Sequence, residues 1–182
     1  LYELLRNRIL LKAPTGSGKT IIAGGFMDSL NVNYNNILYL WVSESPSLVK
    51  QSLDKFSGMF NLEALEQSTL IKSEDLPGGT IVGVNWEKLK IGNIKEDTER
   101  TDSLETIVSR SREQGLQIVM FIDEAHTSTD TELSQELIKE IDPDVLIEVT
   151  ATPVKDDYDR EVVIDIQDVK DAGFIKQGIV IN

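Results

Sequence analysis

Ile9-Leu10-Leu11-Lys12-Ala13-Pro14-Thr15-Gly16-Ser17-Gly18-Lys19-Thr20 is the stretch on which the fold turns. Ile9 to Ala13 reads as a short buried strand, and a helix is expected from about Lys19 to Leu30. The turn between them holds two glycines, which accept backbone angles other residues resist. A strand, a glycine-rich turn and a helix in that order are the context a phosphate-binding loop requires. The N–H groups of Pro14 to Thr20 (Pro14 itself excepted) then turn inward around anionic oxygens, and the helix start adds its positive dipole end. Lys19 is the reaching cation, and the Thr20 hydroxyl is the candidate metal ligand. Pro14, Thr15, Gly16, Ser17 and Gly18 supply the cradle. The strict pattern wants Gly where this chain has Ala13, so the motif is A-x-x-G-x-G-K-T. The bland alternative is a glycine-rich turn beside a surface lysine.

Working outward, short β-branched runs alternate with helical stretches, the rhythm of a parallel α/β sheet. Ile37 to Val42 is an unbroken apolar run, as expected for a strand covered on both faces. Ser45-Pro46 opens a helix whose apolar face is Leu48, Val49, Leu53 and Phe56. Further strands are expected at 80–84, 117–122, 145–149 and 162–166, with helices near 102–114 and 131–141. The polar stretch Gly92 to Thr101 reads as an exposed connection. The expected architecture is α/β: a three-layer phosphate-loop domain, its sheet mostly parallel with helices on both faces.

Composition bounds the function. The 182 residues suffice for one domain with a buried core. Cysteine is absent, which removes disulfides, thiolate zinc ligands and thiol catalysis, and suits the cytoplasm. No apolar run reaches the roughly 18–20 residues that span a bilayer. The net charge is −13 and uneven. Residues 1–60 carry six Lys/Arg against four Asp/Glu, and residues 61–182 carry twelve against twenty-seven. Such acidity opposes a general electrostatic grip on nucleic acid, so any contact is local or shared with other parts.

Asp123-Glu124-Ala125-His126 follows the strongest strand. Acidic residues just past the end of a buried parallel strand face the ligand crevice. Asp123 is a candidate holder of Mg²⁺, and Glu124 a candidate to orient and deprotonate an attacking water. His126, the only histidine, lies beside them. Thr150-Ala151-Thr152-Pro153 follows another strand, where small hydroxyl residues can link a site to a moving neighbour.

A-P-T-G-S-G-K-T, D-E-A-H and T-A-T-P, in this order, resemble motifs I, II and III of the superfamily-two helicases. Leu40 to Leu48 with Gln51-Ser52 resembles the motif Ia region. Val84 to Leu89 and Ile147 to Pro153 resemble segments of type III restriction subunits, which more often have Ser at Thr150. The resemblance covers nearly the whole chain. It implies that residues 1–182 are a first RecA-like, ATP-binding domain and part of a longer chain. The opening on Leu1 rather than Met sets the same expectation, and Leu1 to Arg8 resembles the helix after an adenine-reading glutamine motif. It implies ATP and Mg²⁺ as cofactors, with catalysis by Lys19, Asp123, Glu124 and His126 and coupling through Thr150 and Thr152. Ser43, Ser45, Asn85 and Trp86 are the implied nucleic-acid contacts, with DNA favoured over RNA as partner. A second RecA-like domain, a nuclease domain and a modification subunit are implied partners, and without them hydrolysis is expected to be slow. Two other readings stay open: a phosphate-loop ATPase of another class, and a module that binds nucleotide without hydrolysing it.

Overall fold

The computed structural model describes residues 8–70, 75–86, 102–125, 132–153, 158–165 and 167. Strand β1 is Arg8–Lys12, and helix α1 is Lys19–Asn33. Strand β2 (Ile37–Ser43) leads into α2 (Pro46–Phe60), the three-residue β3 (Ala64–Glu66) and a single 3₁₀ turn over Gln67–Thr69. There follow β4 (Ile81–Asn85), α3 (Leu104–Glu113), β5 (Gln117–Asp123), α4 (Glu132–Ile141), β6 (Val145–Thr150) and β7 (Arg160–Val163). The described strands form one sheet in the order β3-β4-β2-β5-β6-β1-β7, and every pair is parallel. All C-terminal strand ends therefore lie on one edge.

The alternation of side chains along the central strands divides the core in two. Tyr39 and Trp41 of β2 and Phe121 of β5 face α1 and α2, where they meet Ala23, Met27, Leu53 and Phe56. Leu38, Leu40 and Val42 face the other way, with Met120 and Ile122, toward Leu104, Ile107, Leu137 and Ile141 of α3 and α4. That is the expected three-layer arrangement, with a wholly parallel sheet. Gly83 sets how closely α2 approaches: a Cβ there would lie 2.6 Å from side-chain atoms of both Leu53 and Val49.

Several boundaries differ from expectation for identifiable reasons. Helix α1 runs to Asn33 rather than Leu30. The helix continues through Asn31, whose side chain accepts from Tyr39 Oη at 2.9 Å and donates to the Gly79 carbonyl at 3.2 Å. Strand β7 spans 160–163 rather than 162–166, since its pairing with β1 fixes Ile9 opposite Arg160 and Lys12 opposite Val163. The helix implied for Leu1 to Arg8 falls almost wholly outside the described residues, and Arg8 itself opens β1. The expected connection at 92–101 also lies outside them.

A buried polar cluster pins the β7 side of the sheet. Glu148 of β6 is 1% exposed. It is ion-paired with Arg8 of β1, whose Nε donates to Oε1 at 3.0 Å, and Tyr158 Oη donates to Oε2 at 2.7 Å. The Arg8 guanidinium also stacks 5.2 Å above the Tyr158 ring.

Candidate active site

The phosphate loop leaves β1 at the edge where all strands end. Ser17 N–H donates to the Pro14 carbonyl at 3.1 Å, closing a tight turn. Gly16 and Gly18 take φ of 80° and 81°, a left-handed conformation that L side chains resist. Gly18 is the N-cap of α1, and neither a side-chain cap nor an acidic first-turn residue serves that helix end. Its first N–H groups therefore retain the polarity that attracts an anion. Thr15 and Gly16 are exposed, Pro14, Gly18 and Thr20 are half-buried, and Ser17 is buried with its hydroxyl unpartnered. Ala13 N–H donates to the Thr150 carbonyl at 3.1 Å, so the root of the loop is stitched to the end of β6.

Lys19 threads its chain through the interior and is 7% exposed. Its Nζ lies 3.1 Å from Glu124 Oε1. Glu124 itself has φ 52°, in the left-handed region that is sparsely populated by non-glycine residues and recurs at functional sites. Beside it, Asp123 ends β5 half-buried. Burial, and secondarily the neighbouring Glu124 charge, push its carboxyl from 3.8 up to about 6. Lys19, a hydrogen bond from the Glu124 amide and Lys55 act in the opposite direction. Lys55 stands on α2, and no motif singles it out. Only the packing of α2 beside the strand ends brings its charge within reach.

The donor set suits a magnesium–nucleotide pair. Magnesium takes one or two carboxylates, a hydroxyl and substrate phosphates, and does not need an all-protein cage. Among the described residues no cluster of three or more His, Cys, Asp or Glu forms such a cage. Asp123, Thr20 and the loop amides are the groups that would hold the metal and its phosphates.

The remaining sequence candidates scatter. Thr150 is buried, and its Oγ1 accepts from the Thr152 amide at 3.2 Å, fixing the turn after β6, while Thr152 is exposed. Ser45 caps α2, accepting from the Leu48 amide at 3.3 Å. Asn85 Nδ2 donates to the Glu44 carbonyl at 3.2 Å, bracing the same turn. Ser43 is 2% exposed and its hydroxyl has no partner. Trp86 is 1% exposed and packs into the α3/α4-side core. Its ring is covered on both faces in this arrangement. His126 lies outside the described residues.

Residues 3–155 match the family model described as type III restriction enzyme, res subunit. No curated protein matches. Among solved structures, the UvsW helicase of bacteriophage T4 is 17% identical with a TM-score of 0.57, over 87% of this chain and 55% of that one. The helicase domain of Pyrococcus furiosus Hef is 17% identical with a TM-score of 0.58, over 93% and 38%. The Type ISP restriction-modification enzyme LlaGI, solved with a DNA substrate mimic, is 13% identical with a TM-score of 0.59, over 95% and 19%. At these identities the likeness is one of fold. The chain spans about half of the first of these proteins and less of the others.

Proposed function

This chain belongs to the type III restriction enzyme res-subunit family, and from that premise we propose that it is the ATP-binding and ATP-hydrolysing motor unit of a DNA helicase or translocase. One observation carries the reading: Lys19 and Glu124, 105 positions apart in a phosphate-loop fold, meet at 3.1 Å beside a half-buried Asp123. A lysine that reaches phosphates and a carboxylate pair that handles metal and water must share one pocket for phosphoryl transfer.

On this reading each residue has a role. The amides of Thr15 to Thr20 grip the phosphates, and Lys19 exchanges its Glu124 contact for the β- and γ-phosphate oxygens. Once released, the Glu124 carboxylate is available to orient a water and take its proton. Thr20 and Asp123 would hold Mg²⁺, which neutralises charge developing on the phosphate oxygens. Thr150 and Thr152, at the end of a strand stitched to the loop root, would pass the state of the site to a neighbouring domain, with His126 beside the acidic pair.

DNA is the favoured track, because the family is one of restriction enzymes and LlaGI was solved with a DNA mimic. Ser45 and the Asn85-braced turn, at the same edge as the nucleotide site, are the proposed contact region. Hydroxyl and amide groups there suit backbone phosphates rather than base edges. A second RecA-like domain would complete the nucleotide cleft, with nuclease and modification parts as further partners. Among the described residues no helix is long and apolar enough to cross a membrane.

The test is Glu124→Gln. ATP binding is expected to persist while hydrolysis falls at least about a hundredfold, the lower range for loss of a positioned general base. Turnover at the unaltered rate would assign water activation to another residue. Absence of nucleotide binding in the unaltered chain would remove the motor reading altogether.

A further inference from the structure

At the C-terminal end of the sheet, besides Ser17 of the glycine-rich loop, one buried hydroxyl has no hydrogen-bond partner. Ser43 closes β2, is 2% exposed, and its Oγ has no hydrogen-bond partner. Leaving a buried polar group unpaired is unfavourable, and most such groups find partners. Alanine would fill the position without that cost. The neighbouring polar residues at this edge are engaged: Ser45 caps α2, and Asn85 holds the Glu44 carbonyl.

Register identifies what lies beside Ser43: Asn85 of β4 on one side, and on the other the end of β5. Strands β2 and β5 pair from Ile37 opposite Gln117 to Val42 opposite Ile122, so Ser43 and Asp123 are the next residues on the two strands. They emerge on the same face, because the residues two positions back, Trp41 and Phe121, meet ring to ring at 5.8 Å on the α1/α2 side. Adjacent strands lie about 4.8 Å apart. Rotation about one serine bond therefore sweeps Oγ toward the Asp123 carboxylate. That carboxylate already accepts from the Glu124 amide and retains acceptor capacity.

We propose that Ser43 is a positioning residue for Asp123: its hydroxyl donates to the carboxylate oxygen turned away from the metal and holds the other oxygen toward it. The proposal rests on the reading of Asp123 as the metal-side carboxylate. Ligating carboxylates are commonly hydrogen-bonded from behind, and loss of such a partner typically weakens metal binding by roughly 10–100-fold. Because β2 continues into the Glu44–Ser45 turn, the same hydroxyl connects metal occupancy to the strand end that launches α2.

The experiment uses the full chain with Mn²⁺ in place of Mg²⁺ and a non-hydrolysable ATP analogue. Metal affinity is read from the electron paramagnetic resonance of free Mn²⁺, and analogue affinity is read separately in EDTA. Ser43→Ala is expected to weaken Mn²⁺ binding about tenfold and to leave metal-free analogue binding unchanged. Ser43→Thr, which keeps the hydroxyl, is expected to restore the affinity, and Asp123→Asn to lose it. Unaltered Mn²⁺ affinity in Ser43→Ala, with Asp123→Asn impaired, overturns the role of Ser43 alone. So does a change in melting temperature unaccompanied by a change in metal affinity. Full affinity in Asp123→Asn overturns the metal reading itself, and the proposal with it.

Discussion

Replacing Asp123 with asparagine should make the metal-free protein more stable, not less. The carboxyl is lifted from 3.8 to about 6, mainly by burial and then by the charge of Glu124. A carboxyl with a raised value holds its proton more tightly in the folded chain than in the unfolded one. Stability contributed by this group is thus greatest at low pH and falls as pH rises from about 4 to about 6. Above that window the folded state carries the whole penalty of an ionised, half-buried carboxylate. At about 1.36 kcal/mol per pKa unit the ceiling is about 3 kcal/mol, and partial solvation of Asp123 brings the expected gain to roughly 1–3 kcal/mol. Asparagine keeps the shape and removes the charge. Urea unfolding in EDTA at pH 8 should show the variant more stable by that amount, with the difference shrinking toward pH 4. Saturating Mg·ATP analogue should reverse the order, because a ligand at a hundred times its Kd adds about 2.7 kcal/mol to whichever protein still binds it. A variant less stable than the parent at pH 8 would refute the reasoning, since Asp123 would then be supporting the fold through contacts that asparagine cannot make.

Two further substitutions probe how the fold holds the site. Gly83→Ala should cost about 1–3 kcal/mol, because a Cβ 2.6 Å from Leu53 and Val49 forces α2 outward; unchanged urea stability would mean that the helix yields freely. Glu148→Ala should cost about 3 kcal/mol by stranding the Arg8 guanidinium and Tyr158 hydroxyl, while Glu148→Gln should cost less. Equal losses in the two variants, measured by urea unfolding, would show that charge contributes nothing there.

The central strands were legible because they are buried on both faces. Ile37 to Val42 and Gln117 to Ile122 have no polar residue to confuse the reading, apart from Gln117 at the first position. The phosphate loop was legible because glycine, lysine and threonine at fixed spacing answer to backbone geometry. What escaped depends on tertiary partners. Ala64-Leu65-Glu66 has no strand character of its own, and it is a strand because it lies beside Ile81 to Gly83 of β4. Asn31 reads as a turn residue until Tyr39 and Gly79 engage it in the helix. The burial of Trp86 is likewise set by the α3/α4-side packing, which the sequence around it does not reveal. Within the site, the sequence offered Lys19, Asp123 and Glu124 as parts. Their meeting, the half-burial of Asp123 and the electrostatic presence of Lys55 arise from packing alone.

The single bond from the Ala13 amide to the Thr150 carbonyl acts as a hinge pin between two rims of the crevice. Below it, β1 and β6 are paired without a break from Arg8 opposite Leu146 to Lys12 opposite Thr150. Above it the chains part, one into the glycine-rich loop and the other into the Thr150–Pro153 turn. Two rims far apart in the sequence are thus fastened at one peptide group. Removing that pin would free the root of the glycine-rich loop from the end of β6.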